Sequence, residues 1–182
     1  MRKTILLGAI LFALFGCEQY QSTTKKLNAY FDLDSLLDAQ VQLLATQNAT
    51  LTKTVIKDGE EESRTFQPDS AQWQEEFSII RDYNLNKPHN VGAYKTNESA
   101  KMISYKAEAS RKLSINNFEV ILENGEVKQI NSQFSESKYI YSTERTLNMT
   151  FEKGQLQSYK IDGNQKMILL DAVNYQIAGI IK

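Results

Sequence analysis

The apolar positions change period along the chain. Leu36, Leu37, Val41 and Leu44 recur at helical spacing, which predicts a helix over about residues 35–48. Ser35 and Asp38 have the spacing of a capping box at its start, with Asp in place of the usual Glu. Next come a β-rich run from Leu51 to Lys57, the pair Asp58-Gly59, and a second run from Glu60 to Phe66. Two such runs around an Asp-Gly pair predict a hairpin. Pro68-Asp69-Ser70 stops the hairpin and caps a second helix. Trp73, Phe77 and Ile80 fall at i, i+4 and i+7 along that helix and form one apolar stripe. Asn84, Asn86 and Pro88 end it, and residues 86–99 read as a loop.

From residue 100 the period becomes two. Phe118, Val120 and Leu122 alternate with polar neighbours, as do Leu147, Met149 and Phe151, and later Tyr175, Ile177 and Gly179. Asn124-Gly125, Lys153-Gly154 and Asp162-Gly163 each read as a turn between two β-rich runs. The expected fold is therefore α+β. Two N-terminal helices, with a β-hairpin between them, pack on an antiparallel meander of six or seven strands. The strands offer more apolar surface than two helices cover. The stretch from Lys138 to Phe151, roughly 46 Å at strand rise, is too long to stay straight in a small domain. A curved sheet is expected, with a groove near Tyr139 and Tyr141.

The first residues carry a different signal. Arg2 and Lys3 precede an apolar run from Ile5 to Phe15, too short to cross a bilayer as a helix and suited to a signal-peptide core. The run closes on Leu14-Phe15-Gly16-Cys17. This resembles the lipobox of bacterial lipoproteins, and the resemblance implies cleavage after Gly16 and acylation of Cys17. Residues 1–16 are then a signal peptide, 17–29 the acylated Cys and a polar tether, and 30–182 a single domain. Glu18 replaces the Asp that marks inner-membrane retention in enteric bacteria, which directs the expectation to the outer membrane. The periplasmic side is favoured there, with surface display as the other option.

Composition narrows the chemistry. Lys and Arg number 21 against 22 Asp and Glu, with a formal charge of −1, so no basic excess exists to neutralise the phosphates of a nucleic acid. One Cys cannot form an internal disulfide, and one Cys with one His builds no zinc site. His89 sits in the predicted loop with no thiol or G-x-S-x-G elbow to serve it. Glu60-Glu61-Glu62 reads as a solvated hairpin tip, and Glu75-Glu76 as acid near a helix start. No catalytic residue, metal ligand or cofactor is expected.

Aromatic content says more. Nine Tyr and eight Phe lie in the chain. Tyr139 and Tyr141 are placed on one face of a strand by period two, and Tyr105, Tyr159 and Tyr175 lie in others. A Tyr-lined face combines apolar bodies with polar tips and makes a possible binding surface. Several segments together also resemble an uncharacterised family of Bacteroidota envelope lipoproteins. They are Tyr30-Phe31-Asp32-Leu33, Lys53-Thr54-Val55, Trp73 with Glu75-Glu76, Asn86-Lys87-Pro88 before Tyr94, and Tyr175-Gln176-Ile177-Ala178-Gly179. The likeness implies location and a single domain and carries no functional residue. The expected function is that of a membrane-anchored, non-enzymatic lipoprotein binding an envelope protein or an amphiphile. The alternatives are a structural or assembly accessory of outer-membrane proteins, and a carboxylate-based envelope hydrolase.

Overall fold

The computed structural model describes residues 29–182. The signal peptide, the lipobox with Cys17 and most of the tether lie outside the described residues.

Helix α1 spans Leu33–Thr46 and begins before Ser35. Its cap is Asp32, whose carboxylate accepts the Ser35 backbone N–H at 3.0 Å and the Ser35 hydroxyl at 2.7 Å. The expected partner of Ser35, Asp38, instead meets Arg81 at 2.7 Å. Strands β1 (Leu51–Lys57) and β2 (Glu60–Phe66) form the expected hairpin. Asp58 and Gly59 both take positive φ, as its two-residue turn requires. The second helix is broken at Phe77 into α2 (Ser70–Glu76) and α3 (Ser78–Arg81). Asp69 and Gln72 form a reciprocal capping box at its start. Trp73, Phe77 and Ile80 are all fully buried, so the apolar stripe survives the break.

Seven more strands follow: β3 (Tyr94–Ser99), β4 (Met102–Ala107), β5 (Ile115–Glu123), β6 (Glu126–Ser137), β7 (Tyr141–Glu152), β8 (Gln155–Met167) and β9 (Val173–Ile181). All strands among the described residues belong to one antiparallel sheet of nine, in the order β2-β1-β9-β8-β7-β6-β5-β4-β3. The count exceeds six or seven because the hairpin is not a separate unit. Strand β1 pairs with β9 from Leu51↔Ile181 to Lys57↔Tyr175, which places the C-terminal strand inside the sheet.

Two expected features are corrected. Residues 94–99 are strand β3 and not loop; five of its six positions are exposed, so no alternation marks it. Asp162-Gly163 is no turn and lies within β8, with Gly163 paired to Arg145 on one side and Tyr175 on the other. A Cβ on Gly163 would lie 2.2 Å from Cζ of Tyr175. The neighbouring pair mirrors this: a Cβ on Gly179 would lie 2.2 Å from Cε1 of Tyr159, its partner in β8. Each glycine thus leaves room for the tyrosine ring across from it.

One face of the sheet carries the helices. Leu37, Val41 and Leu44 of α1, with Trp73, Phe77 and Ile80, share a core with Phe118, Val120, Ile130, Met149 and Ile161. Burying each such side chain is worth about 1.5–3 kcal/mol. Gln40 fastens α1 to the β7–β8 turn: its amide donates to the Gly154 carbonyl and accepts from the Leu156 N–H, both at 2.8 Å.

The register also sorts the sheet's ends. Turns Asn124-Gly125 and Lys153-Gly154 lie at one end. At the other end lie Asp58-Gly59, the β4–β5, β6–β7 and β8–β9 connections, and the start of β3. The chain enters the domain at this second end. There the Tyr30 hydroxyl donates to the Asn90 carbonyl at 2.8 Å and accepts from the Ala93 N–H at 3.1 Å, and the Tyr30 ring meets Tyr94 edge-on at 5.3 Å.

Candidate binding face

The five expected tyrosines do not make one surface. Tyr105 is 6% exposed, and its hydroxyl accepts the Phe31 N–H at 3.1 Å. Burial raises its phenol pKa. Tyr159 is 2% exposed, packs edge-on against Phe77 and donates its hydroxyl to the Glu76 carboxylate. Burial, and then that acceptor, push its pKa far above the ordinary value. Glu76 also takes the Lys53 ammonium at 2.9 Å, so β1, α2 and β8 are tied by one polar chain. Both tyrosines are core side chains and closed to a ligand.

The other three stand apart from them. Tyr175 is half-buried with its ring over Gly163. Tyr141 opens β7 and donates to Glu136, an acceptor that raises the tyrosine and whose own pKa is lowered by the same bond. Tyr139 precedes β7, in the connection to it, and is 93% exposed. It therefore shares no strand face with Tyr141, and neither residue lines the concavity that the described residues form.

A concavity lies elsewhere, with a volume of about 740 Å³. It follows the row Phe134, Arg145, Gly163 and Tyr175, which are cross-strand partners in β6, β7, β8 and β9. Eight other lining residues, Gln133, Ser135, Glu144, Thr146, Asp162, Asn164, Asn174 and Gln176, are the immediate sequence neighbours of that row. Period two therefore puts them on the face opposite the helices, with the backbone of the row as a floor. The walls carry five amide side chains, Asn116, Gln133, Asn164, Asn174 and Gln176, beside Ser135 and Thr146. Three carboxylates join them, Asp58, Glu144 and Asp162. The trough crosses the sheet from β5 to the β1–β2 turn. Its rim is held by Asn116 on Ser135 at 2.8 Å, Asn164 on Asn174 at 2.7 Å, and the Asn174 N–H on Asp58 at 3.0 Å.

The underside of the floor is packed against aromatic rings. The Arg145 guanidinium lies 4.1 Å from the Phe134 ring centroid and 5.7 Å from that of Tyr83, and meets Asp82 at 3.0 Å. Burial raises the Tyr83 phenol well above its ordinary range, ahead of the opposing pull of Arg145. The cation of Arg145 thus serves the helix side, and the trough itself is lined by carboxylates and neutral polar groups. Lys160 stands at its border, paired to Asp162 at 3.0 Å.

Such a surface offers hydrogen bonds and negative charge to a ligand. Among the described residues no group of three or more His, Cys, Asp or Glu is placed to hold a metal ion. His89 is exposed in a 3₁₀ turn, Pro88–Asn90, and does not line the trough. Among the described residues no helix is long and apolar enough to cross a membrane. The trough residues escape sequence reading because polar positions on alternating strands look like ordinary solvent-facing ones. The available signal is their type: Asn, a poor strand former, recurs at 116, 164 and 174. No protein-family model, curated protein or solved structure matches the chain.

Proposed function

We propose that the chain is a lipid-anchored envelope lipoprotein, without catalytic chemistry, that binds a protein partner through the trough on the open face of its sheet. The trough is the observation that carries this reading. It presents amides and carboxylates over a floor of paired backbone, a match for a polar or basic surface segment. The anchor rests on Leu14-Phe15-Gly16-Cys17 and on the likeness to Bacteroidota lipoproteins, which also favours the outer membrane. Carriage of an amphiphile inside the domain has less support, because helices and tyrosines fill the apolar face. An amphiphile would need α1 and α2 to leave the sheet.

Two measurements test the reading. Cys17→Ser should leave the protein unprocessed or release it from membranes; normal maturation and membrane partition of the variant would remove the anchor. A photo-crosslinker at Asn164 should give one discrete adduct in intact cells, lost when Glu144 and Asp162 are replaced by Lys. An adduct pattern identical to that from Lys95 on edge strand β3 would remove the trough as the binding surface.

A further inference from the structure

The β6–β7 and β8–β9 connections carry the most exposed apolar side chains among the described residues. Tyr139 and Ile140 belong to the first; Met167, Ile168, Leu169 and Leu170 belong to the second or its base. Tyr139 is 93% and Leu169 97% exposed. The two connections are fastened to each other, because the Ile168 N–H donates to the Ile140 carbonyl at 2.9 Å and Tyr141 pairs with Met167. Their side chains therefore form one ridge. Leu169 holds a φ of +64°, a conformation that suits Gly or Asn, so an apolar side chain sits at the apex where a small polar one would fit the backbone better.

We propose that this ridge dips into the headgroup–acyl boundary of a lipid bilayer and fixes the orientation of the domain on the membrane. The shape favours lipid over protein. The ridge is convex and confined to two hairpin ends, whereas a stable protein interface needs roughly 800 Å² of matched surface on each partner. A fluid bilayer needs no complementary shape. Aliphatic side chains lead the ridge, Tyr139 suits the interface, and Lys166 is exposed just behind Met167; Lys138 is paired to Glu136 at 3.1 Å, and the exposed Asp171 follows Leu170 at the far side of the ridge. The position of the chain entry gives a third argument, which rests on the proposed acylation of Cys17. Tyr30 docks at the same end of the sheet as the ridge, and residues 18–29 reach at most about 40 Å. An anchored Cys17 keeps that end within about 40 Å of the bilayer.

The test uses the full chain, purified from membranes and reconstituted in vesicles of phosphatidylethanolamine and phosphatidylglycerol. An environment-sensitive thiol-reactive fluorophore is placed at Leu169→Cys and, as a control at the opposite end of the sheet, at Lys153→Cys. The parent chain is treated in the same way. Dye uptake by the parent would mean a free Cys17 and would overturn the anchor alone, leaving the ridge to be read from the difference between the two sites. The Leu169 probe should shift to the blue and be quenched by lipids with a nitroxide near the headgroup, while the Lys153 probe does neither. Ile168→Ser should then abolish most of the shift. Equal, water-like emission from both probes would overturn the proposal. So would a blue shift without lipid quenching, which would mean that the ridge is covered by protein.

Discussion

Strands β6–β9 pass through two environments along their length. Toward the Lys153-Gly154 turn, their inward positions Leu147, Met149, Tyr159 and Ile161 are closed over by helices and fully or almost fully buried. Toward the other end the same alternation continues through Thr143, Tyr141 and Gln165, half-buried or exposed, and runs out into the apolar ridge. Arg145 marks the border, since Asp82, just past the end of α3, is the farthest the helix layer reaches along β7 to form an ion pair. The lesson is that strand period reports which face a side chain takes, while burial depends on whether another element covers that face.

Substitutions at the two ends should therefore behave oppositely. Phe77→Ala empties a site at the centre of the covered end and should cost about 3–5 kcal/mol in chemical denaturation. A loss near zero would erase the distinction between the ends. Gly179→Ala should cost about 1–3 kcal/mol, because the new methyl meets Tyr159, whose hydroxyl is held by Glu76 and whose ring cannot yield. Gly163→Ala meets Tyr175 in the same way, but that ring is half-buried and can swing aside, so its cost should be smaller. The reverse order would mean that the covered end is the looser one. Leu169→Ser should change stability by less than about 0.5 kcal/mol, the usual bound for an exposed position. A larger loss would show that the ridge is packed in solution.

The same contrast explains what the sequence reveals. The α1 stripe, the Asp58-Gly59 hairpin, the Trp73–Phe77–Ile80 stripe and the strands around Phe118 and Met149 are legible because local period and turn chemistry specify them. The cap of α1 is missed by one turn-length: Asp32 and Ser35 both suit the role, and packing of Leu33 in the core selects the earlier one. Strand β3 is missed because an exposed edge strand needs no apolar alternation. Gly163 is misread because a glycine that admits a ring looks, in sequence, like a glycine that turns the chain. The entry of the hairpin into the sheet depends on pairing between segments far apart in sequence, which no local pattern encodes. Tyr105 and Tyr159 are closed off, and the ridge with Tyr139 is left open, for the same reason: coverage by helices is a tertiary property.

The interior position of β9 has a kinetic side. This strand lies between β8 and β1, so the N-terminal hairpin has no sheet to join until residues 173–181 have arrived. Its pairing with β1 closes a loop that contains nearly every other element, the kind of non-local contact that slows folding. A chain still emerging from a ribosome or a translocation channel would hold its early hairpin unpaired and its helices without their full floor. Completion of the nine-stranded sheet is thereby postponed until the C-terminal strand is free.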